Sequence, residues 1–181
     1  MVSAEGDLIS TPLWGGVPAL KLHFGYNQWA DERILSKMPE LSEAQLHSSD
    51  QTDHGTPFQL LLHTLDTEWS WRIIGQDGVV TKLLWEVESL PDLDSIVRFW
   101  HEEHGRMHSF LDGMNEADLV RKVDYGTLFD SPPKSATVVN LLTHILYHGH
   151  RHRAELATYL TQSGHSPGNM EYLDFLDQAA S

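Results

Sequence analysis

Two histidines four residues apart carry the most specific chemical signal in this sequence. His148 and His152 fall within the apolar stripe of a predicted helix, and residues at i and i+4 lie one turn apart on one helical face. Two imidazoles in this arrangement can bind one metal ion, as they do in zinc proteases. Gly149 between them costs helix stability, which a purely structural helix would avoid. The spacing predicts a metal site, and a satisfied pair of core histidines is the alternative.

A third ligand must come from another element, because one helix cannot supply a whole coordination shell. His63 is the best candidate, since it lies beside the predicted buried seam of the second helix. Asp66 and Thr67 follow about one turn later and are candidates to orient its ring. His144 lies one turn before His148, but it falls off the apolar stripe. His144 could be a ligand or could support one, and it ranks below His148 and His152.

The other histidines are weaker candidates. His101, His104 and His108 form a row in the predicted third helix. The neighbouring glutamates Glu102 and Glu103 favour a solvated face over a metal site. His150 lies between His148 and His152 in the sequence. It projects to the other side of the helix and is expected at the surface.

Helical periodicity broken by turn residues predicts four helices that position these side chains. They cover about residues 19–37, 57–74, 93–114 and 135–162. Gly126, Pro132 and Pro133 mark the last long connection, and residues 120–125 are predicted to be extended. An amphipathic tail at about residues 170–176 is predicted to pack back onto the helices. Four amphipathic helices with two long connections predict an all-α four-helix bundle with a short C-terminal helix.

The apolar stripes predict which helical faces are buried. In the second helix the inward residues are predicted to be Phe58, Leu62, Leu65 and Trp69. In the fourth helix the stripe runs through Leu141, Ile145, His148, His152, Leu156 and Tyr159. The two candidate ligands of this helix therefore sit among side chains that belong in a core.

Composition limits the classes of function. The chain has 181 residues, which suits a lead-in of about residues 1–18 and a single domain at about residues 19–181. It has no cysteine, which excludes disulfides, thiolate metal sites and cysteine nucleophiles. Its formal charge of −14 argues against nucleic acid and anionic membranes as partners. Neither a signal peptide nor an apolar membrane span is apparent, so a cytoplasmic protein is expected.

Three segments resemble the DinB/YfiT-like superfamily of bacterial candidate metalloenzymes. Residues 24–35 read Phe-Gly-Tyr-Asn-Gln-Trp-Ala-Asp-Glu-Arg-Ile-Leu, similar to the family's Tyr-Asn-x-Trp-Ala-Asn in the first helix. Residues 61–69 read Leu-Leu-His-Thr-Leu-Asp-Thr-Glu-Trp, similar to a second-helix segment in which His precedes Glu-Trp. Residues 144–156 read His-Ile-Leu-Tyr-His-Gly-His-Arg-His-Arg-Ala-Glu-Leu, similar to the fourth-helix signature His-x-x-x-His-x-x-x-His-Arg-Gly-Gln. The third match is the most specific.

The resemblance implies that the family's three metal ligands fall on His63, His148 and His152. It also implies an up-down-down-up bundle, often a homodimer, that holds one divalent ion, with Zn or Ni expected and Mn or Fe as alternatives. Family members include S-transferases that use low-molecular-weight thiols and a thiol-dependent isomerase. The sequence departs from the family pattern at Ala154 and Glu155, which replace Gly-Gln. That change adds a carboxylate near the site and leaves the similarity of substrate open.

The leading hypothesis is a metal-dependent enzyme that transfers a low-molecular-weight thiol to an electrophilic small molecule. Three neutral imidazoles leave the ion its full charge and open positions, as catalytic sites require. Asp66, Glu155 and His144 are the candidate catalytic or ligand-supporting residues. The alternatives are a metal-dependent hydrolase and a non-catalytic, stress-related metal-binding module that dimerises. A water-accessible ion with an open position would favour an enzyme.

Overall fold

The computed structural model describes residues 15–49, 52–80, 82–125 and 134–179, most of them helical. In chain order the elements are α1 (Gly16–Leu35), a 3-10 turn (Met38–Glu40), α2 (Glu43–Leu46), α3 (Pro57–Asp77), α4 (Leu84–Val87), α5 (Leu93–Asp112), α6 (Glu116–Leu119), β1 (Lys122–Tyr125), β2 (Lys134–Thr137), α7 (Val138–Gln162) and α8 (Tyr172–Ala179). Within these ranges no helix combines the length and the apolar character needed to cross a bilayer. The prediction of a mainly helical fold is confirmed.

The four predicted helices correspond to α1, α3, α5 and α7, with one difference in kind. Residues 135–137 were predicted to begin the fourth helix, but Lys134–Thr137 pairs antiparallel with Lys122–Tyr125. Backbone pairing with β1, which confirms the extended piece predicted near residues 120–125, therefore delays the start of α7 to Val138. The predicted connection with Gly126, Pro132 and Pro133, and most of the lead-in, lie outside the described residues.

The long helices pack so that α7 lies along α1 and α3, while α5 contacts both α1 and α3. Their apolar side chains form two separate clusters. The first contains the C-terminal halves of α1 and α7, through residues such as Ile34 and Leu156, and the N-terminal halves of α3 and α5. The second contains the opposite halves, through residues such as Phe24, Ile74 and Ile145. Thus α1 and α7 run in one direction, and α3 and α5 run in the other. The C-terminal helix α8 packs on α1, where Phe175 contacts the rings of Tyr26 and Trp29.

A layer of buried polar side chains lies between the two apolar clusters. Each member is at most 6% exposed, and the members are Asn27, Asp31, Glu68, Arg72, Glu103, His104 and Arg153. All four long helices contribute to this polar layer. Burying so many charged groups is costly unless they are paired and hydrogen-bonded.

Most polar atoms of this layer are paired, although Glu68 Oε1 and His104 Nδ1 have no hydrogen-bond partner among the described residues. Arg153 Nη1 donates to Asn27 Oδ1 at 2.7 Å and to Asp31 Oδ1 at 2.9 Å. The Asn27 amide in turn donates to Asp31 Oδ2 at 3.0 Å and to Glu68 Oε2 at 3.3 Å. His104 Nε2 lies 3.3 Å from Asp31 Oδ2. These bonds fix the rotation of α7 relative to α1, because only one rotation presents Arg153 to Asp31.

Two predictions of burial were wrong at this layer. His104 was predicted to lie on a solvated face, yet it is 3% exposed because the Asp31 carboxylate gives it a buried partner. The stripe predicted for the second helix was also wrong in part, since Leu62 and Trp69 are only half-buried. The buried face of α3 instead continues through Glu68 and Arg72, whose charges an apolar-stripe argument assigns to the surface.

Gly149 belongs to the polar layer rather than to the metal site. A Cβ atom at this position would lie 2.9 Å from Arg153 Nη1 and 3.2 Å from Asn27 Oδ1. Both atoms are held by the hydrogen bond between them, so neither can withdraw without losing a buried contact. The glycine therefore makes room for the bond between α7 and α1.

We expect Gly149→Ala to lower the free energy of unfolding by about 1–3 kcal/mol, because overpacking a buried site outweighs the helix propensity of alanine. Gly105→Ala is the matched control, since Gly105 is also within a helix and an added Cβ meets nothing within 4 Å. That control should gain up to about 1 kcal/mol. Urea unfolding followed by circular dichroism measures both. Equal stabilisation by the two substitutions would show that Gly149 has no packing role.

Two titratable groups of the polar layer have raised pKa values. Burial and the Asp31 charge raise the pKa of Glu68 from 4.5 to about 7. Burial alone would lower the pKa of His104, but the hydrogen bond to Asp31 and the nearby carboxylates outweigh it and raise the pKa. In both cases the folded chain binds protons more tightly than the unfolded chain does. The stability from these groups is therefore present at low pH and is lost as pH rises through the folded-state pKa.

We expect Glu68 to contribute a loss of stability on the order of 3 kcal/mol as pH rises from 4.5 to about 7. His63 and His148, whose pKa values are lowered, act in the opposite direction in the lower part of this range, so the Glu68 contribution is read from the difference between variant and wild type. The stability of Glu68→Gln relative to the wild type should therefore rise with pH, because the amide has no proton to lose. Glu102→Gln serves as control, since it changes an exposed carboxylate on α5. The measurement is the free energy of unfolding from urea melts across this pH range. If Glu68→Gln and the wild type had the same pH slope, Glu68 would not hold a proton in the core.

Candidate metal centre

His63, His148 and His152, the histidine cluster, meet between α3 and α7. The Nε2 atoms of His63 and His148 lie 3.1 Å apart, and those of His148 and His152 lie 3.2 Å apart. The i,i+4 spacing on α7 brings its two rings together, and the close packing of α3 on α7 brings the third. The structure therefore brings the three predicted ligands together, with His148 in contact with both His63 and His152.

The protonation of the histidine cluster suits metal binding. Burial, reinforced by the charges of the neighbouring histidines, lowers the pKa of His63 to about 4 and that of His148 to about 3. Burial also lowers the pKa of His152, against the opposing effect of Glu155. All three rings are neutral at pH 7, and the neutral imidazole is the form that binds a metal ion. Binding an ion at this pH therefore displaces no proton from them.

The spacing also fits a metal ion. Ligand nitrogens at 2.0–2.1 Å from a tetrahedral ion stand about 3.3 Å apart. The two Nε2 separations in the histidine cluster are close to that value. Three nitrogen donors on two packed helices suit Zn²⁺, Ni²⁺ and related divalent ions of the first transition row.

His54 is a fourth histidine at this place, and the sequence argument missed it. Its ring stacks on that of His63 with centroids 3.8 Å apart and planes 19° apart. One ring nitrogen from each of His54, His63 and His152 lies within 4.8 Å of the other two. His54 precedes the first residue of α3 in a polar stretch with no periodicity, so only its position just before a capped helix start could have drawn attention to it.

Glu155 contacts both the histidine cluster and the loop that carries His54. Its Oε2 lies 3.4 Å from Nδ1 of His152, and its Oε1 accepts a hydrogen bond from the Asp53 N–H at 2.5 Å. A carboxylate at Nδ1 favours the tautomer that leaves the Nε2 lone pair free for a metal ion. The residue that departs from the family's glutamine thus has a defined place beside a ligand.

The other two predicted supporting residues lie differently. Asp66 Oδ1 accepts a hydrogen bond from the Leu84 N–H at 2.7 Å, so this carboxylate joins α3 to the start of α4. His144 packs edge-on against Trp71, and its ring centroid is 5.7 Å from that of His148. His144 therefore borders the histidine cluster, whereas the contacts of Asp66 connect it to the fold. Their roles in chemistry stay predictions.

A second group of ligand types occurs in the polar layer, where donor atoms of Asp31, Glu68 and His104 lie within 4.8 Å of one another. The Arg153 guanidinium already binds Asp31 there, and its charge would repel a metal cation. We therefore assign this group to the fold. A cavity of about 550 Å³ lined by Tyr26, Arg153 and other residues opens beside α7 and contains no member of the histidine cluster.

The chain is similar to a known protein family and to a curated protein. The sequence model described as DinB family matches residues 17–181. Among curated proteins, Protein DinB of Bacillus subtilis (strain 168) is 20% identical over 163 residues, which is 85% of this chain and 91% of the relative.

Proposed function

We propose, since this chain belongs to the DinB family, that it binds one divalent metal ion through His63, His148 and His152 and uses it to transfer a low-molecular-weight thiol to an electrophilic small molecule. The scaffold we propose is the up-down-down-up four-helix bundle of that family. The observation that carries the metal site is the convergence of three neutral imidazole nitrogens at 3.1 and 3.2 Å.

An ion held by three neutral ligands would supply Lewis-acid chemistry, which ionises a coordinated thiol or water near neutral pH. Several residues of the chain would keep the ligand nitrogens available and oriented for such an ion. Burial keeps the pKa values of His63 and His148 low, so their lone pairs are available. Glu155 orients His152 through Nδ1. The bond from Arg153, the next residue, to Asp31 fixes α7 so that His152 faces α3.

We place thiol transfer ahead of hydrolysis because the superfamily that the ligand segments resemble includes thiol-using enzymes. A second argument comes from composition. The chain has no cysteine, so a thiol substrate meets no internal thiol that competes for the ion or the electrophile. The strongly acidic chain, at −14, also disfavours polyanionic substrates such as nucleic acids.

We expect purified, untagged wild-type chain to contain about one divalent ion per molecule by elemental mass spectrometry. The double variant His148→Ala/His152→Ala should contain none, because it retains one ligand of three. His150→Ala is the matched control, as it removes an exposed histidine from the same helix. A wild-type chain that stays metal-free after reconstitution with Zn²⁺, Ni²⁺, Mn²⁺ and Fe²⁺ would refute the metal site.

We expect the metal-loaded wild type to accelerate conjugation of cysteine or another small thiol to a bimane electrophile by about 10-fold or more over the double variant. That is the order of gain when a thiol with a pKa near 8.5 is fully ionised at pH 7 and loses part of its nucleophilicity. Adduct formation is followed by fluorescence and mass spectrometry. Equal rates for both proteins with a panel of thiols, together with metal-dependent cleavage of p-nitrophenyl acetate, would favour the hydrolase instead.

A further inference from the structure

We propose that His54 is a fourth metal ligand that closes the histidine cluster and is displaced when an incoming ligand such as a thiol binds. This inference rests on the proposed function, because it concerns the same ion. It adds a regulatory element that neither the i,i+4 spacing nor the resemblance implies.

The loop of residues 52–55, the His54 loop, holds this histidine close to His63. Thr52 and Gly55 exchange two backbone hydrogen bonds of 3.1 Å each, which closes a tight turn. Gly55 has a φ of 92°, a conformation that favours glycine. Thr56 then caps α3 through a reciprocal pair of hydrogen bonds with Gln59. His54 thus lies directly before the capped N-terminus of α3, the helix that contains His63.

The ring of His54 lies close to the rings of two proposed ligands, His63 and His152. It stacks on His63 at 3.8 Å and meets His152 edge-on at 5.0 Å. Its nearest ring nitrogen is within 4.8 Å of a nitrogen on each, whereas tetrahedral ligands stand about 3.3 Å apart. Turning the ring off the face of His63 would bring that nitrogen into range. The chain therefore offers His54 two places, stacked on His63 or bound to the ion.

Contacts from α7 hold the His54 loop in place without making it rigid. The Asp53 N–H donates to Glu155 Oε1, and the Asp53 carboxylate pairs with Arg151 at 2.5 Å. Both partners on α7 flank His152 in sequence. The side chains of Asp53 and Arg151 are each 64% exposed, and ion pairs so exposed contribute little to stability. The ion pair therefore adds little to the cost of moving the loop, and the hydrogen bond from Asp53 to Glu155 is its main contact with α7.

Four imidazoles would give the closed coordination typical of structural sites, and three leave the open position of a catalytic site. A displaceable His54 lets one protein adopt both arrangements. The exchange is a simple ligand substitution, in which the neutral imidazole leaves as the incoming ligand enters. His54 would thus protect the ion from solvent until a ligand strong enough to replace an imidazole arrives.

The test uses Co²⁺ as the ion and azide as the incoming ligand, with the full chain. The Co²⁺ affinity is measured by competition with a chelator, and azide binding is measured from the visible absorption of the Co²⁺ form. We expect His54→Ala to weaken Co²⁺ binding by about 10-fold or more, the scale on which even supporting residues act. We expect it to tighten azide binding by a similar factor, since azide no longer competes with an imidazole. These opposite shifts identify a displaceable ligand.

Two further variants complete the experiment. His150→Ala removes an exposed histidine and should change neither affinity. Asp53→Ala removes the ion pair with Arg151 but keeps the imidazole and the backbone hydrogen bond to Glu155, and it should shift both affinities in the direction of His54→Ala by a smaller factor. Unchanged affinities in His54→Ala, or a parallel loss of both, would overturn the role of His54 and leave the metal site intact. A wild type that binds no Co²⁺ would overturn the proposed function itself.

Discussion

The buried contact between Arg153 and the pair Asn27 and Asp31 is the interaction on which the rest of the structure depends. It crosses from α7 to α1 at 2.7 and 2.9 Å and sets the rotation of α7. Consecutive helical residues point about 100° apart, so once Arg153 faces α1, His152 must face α3. Breaking one partner of a buried charged pair is strongly destabilising. The position of a proposed metal ligand is therefore secured by a polar contact that lies outside the proposed site.

Burial has opposite effects on the histidines of the two regions, because their neighbours differ. In the histidine cluster, burial and nearby imidazoles both disfavour the proton, and the pKa of His148 falls to about 3. In the polar layer, carboxylates surround His104 and raise its pKa despite burial. The neutral rings of the histidine cluster can present lone pairs to a cation. The polar layer instead holds protons, and its arginine charge disfavours a cation. The histidine cluster and the polar layer thus occupy adjacent faces of the same turns of α7, with His148 and His152 on one face and Gly149 and Arg153 on the other.

The sequence predicts which histidines meet better than it predicts the interior that positions them. His148 and His152 could be found because a spacing of four residues means one helical face, and the resemblance adds His63. The polar layer could not be found this way, since Glu68 and Arg72 look like surface residues until their partners on other helices are known. His54 is invisible for another reason. It lies in a loop, where no periodicity relates sequence position to direction.

The fit between Gly149, Asn27 and Arg153 has a consequence for how this chain can diverge. The glycine leaves just the space that the guanidinium and the amide fill, so a larger residue at 149 is tolerated only after one of those partners has shrunk. A shortened Arg153 leaves the buried Asp31 carboxylate without its counter-charge, and a shortened Asn27 leaves it without the amide hydrogen bond. A single substitution that enlarges Gly149, or one that shortens Asn27 or Arg153, is therefore destabilising by itself. Homologues that differ at one of these positions should differ at the others as well, having crossed by paired, compensating changes.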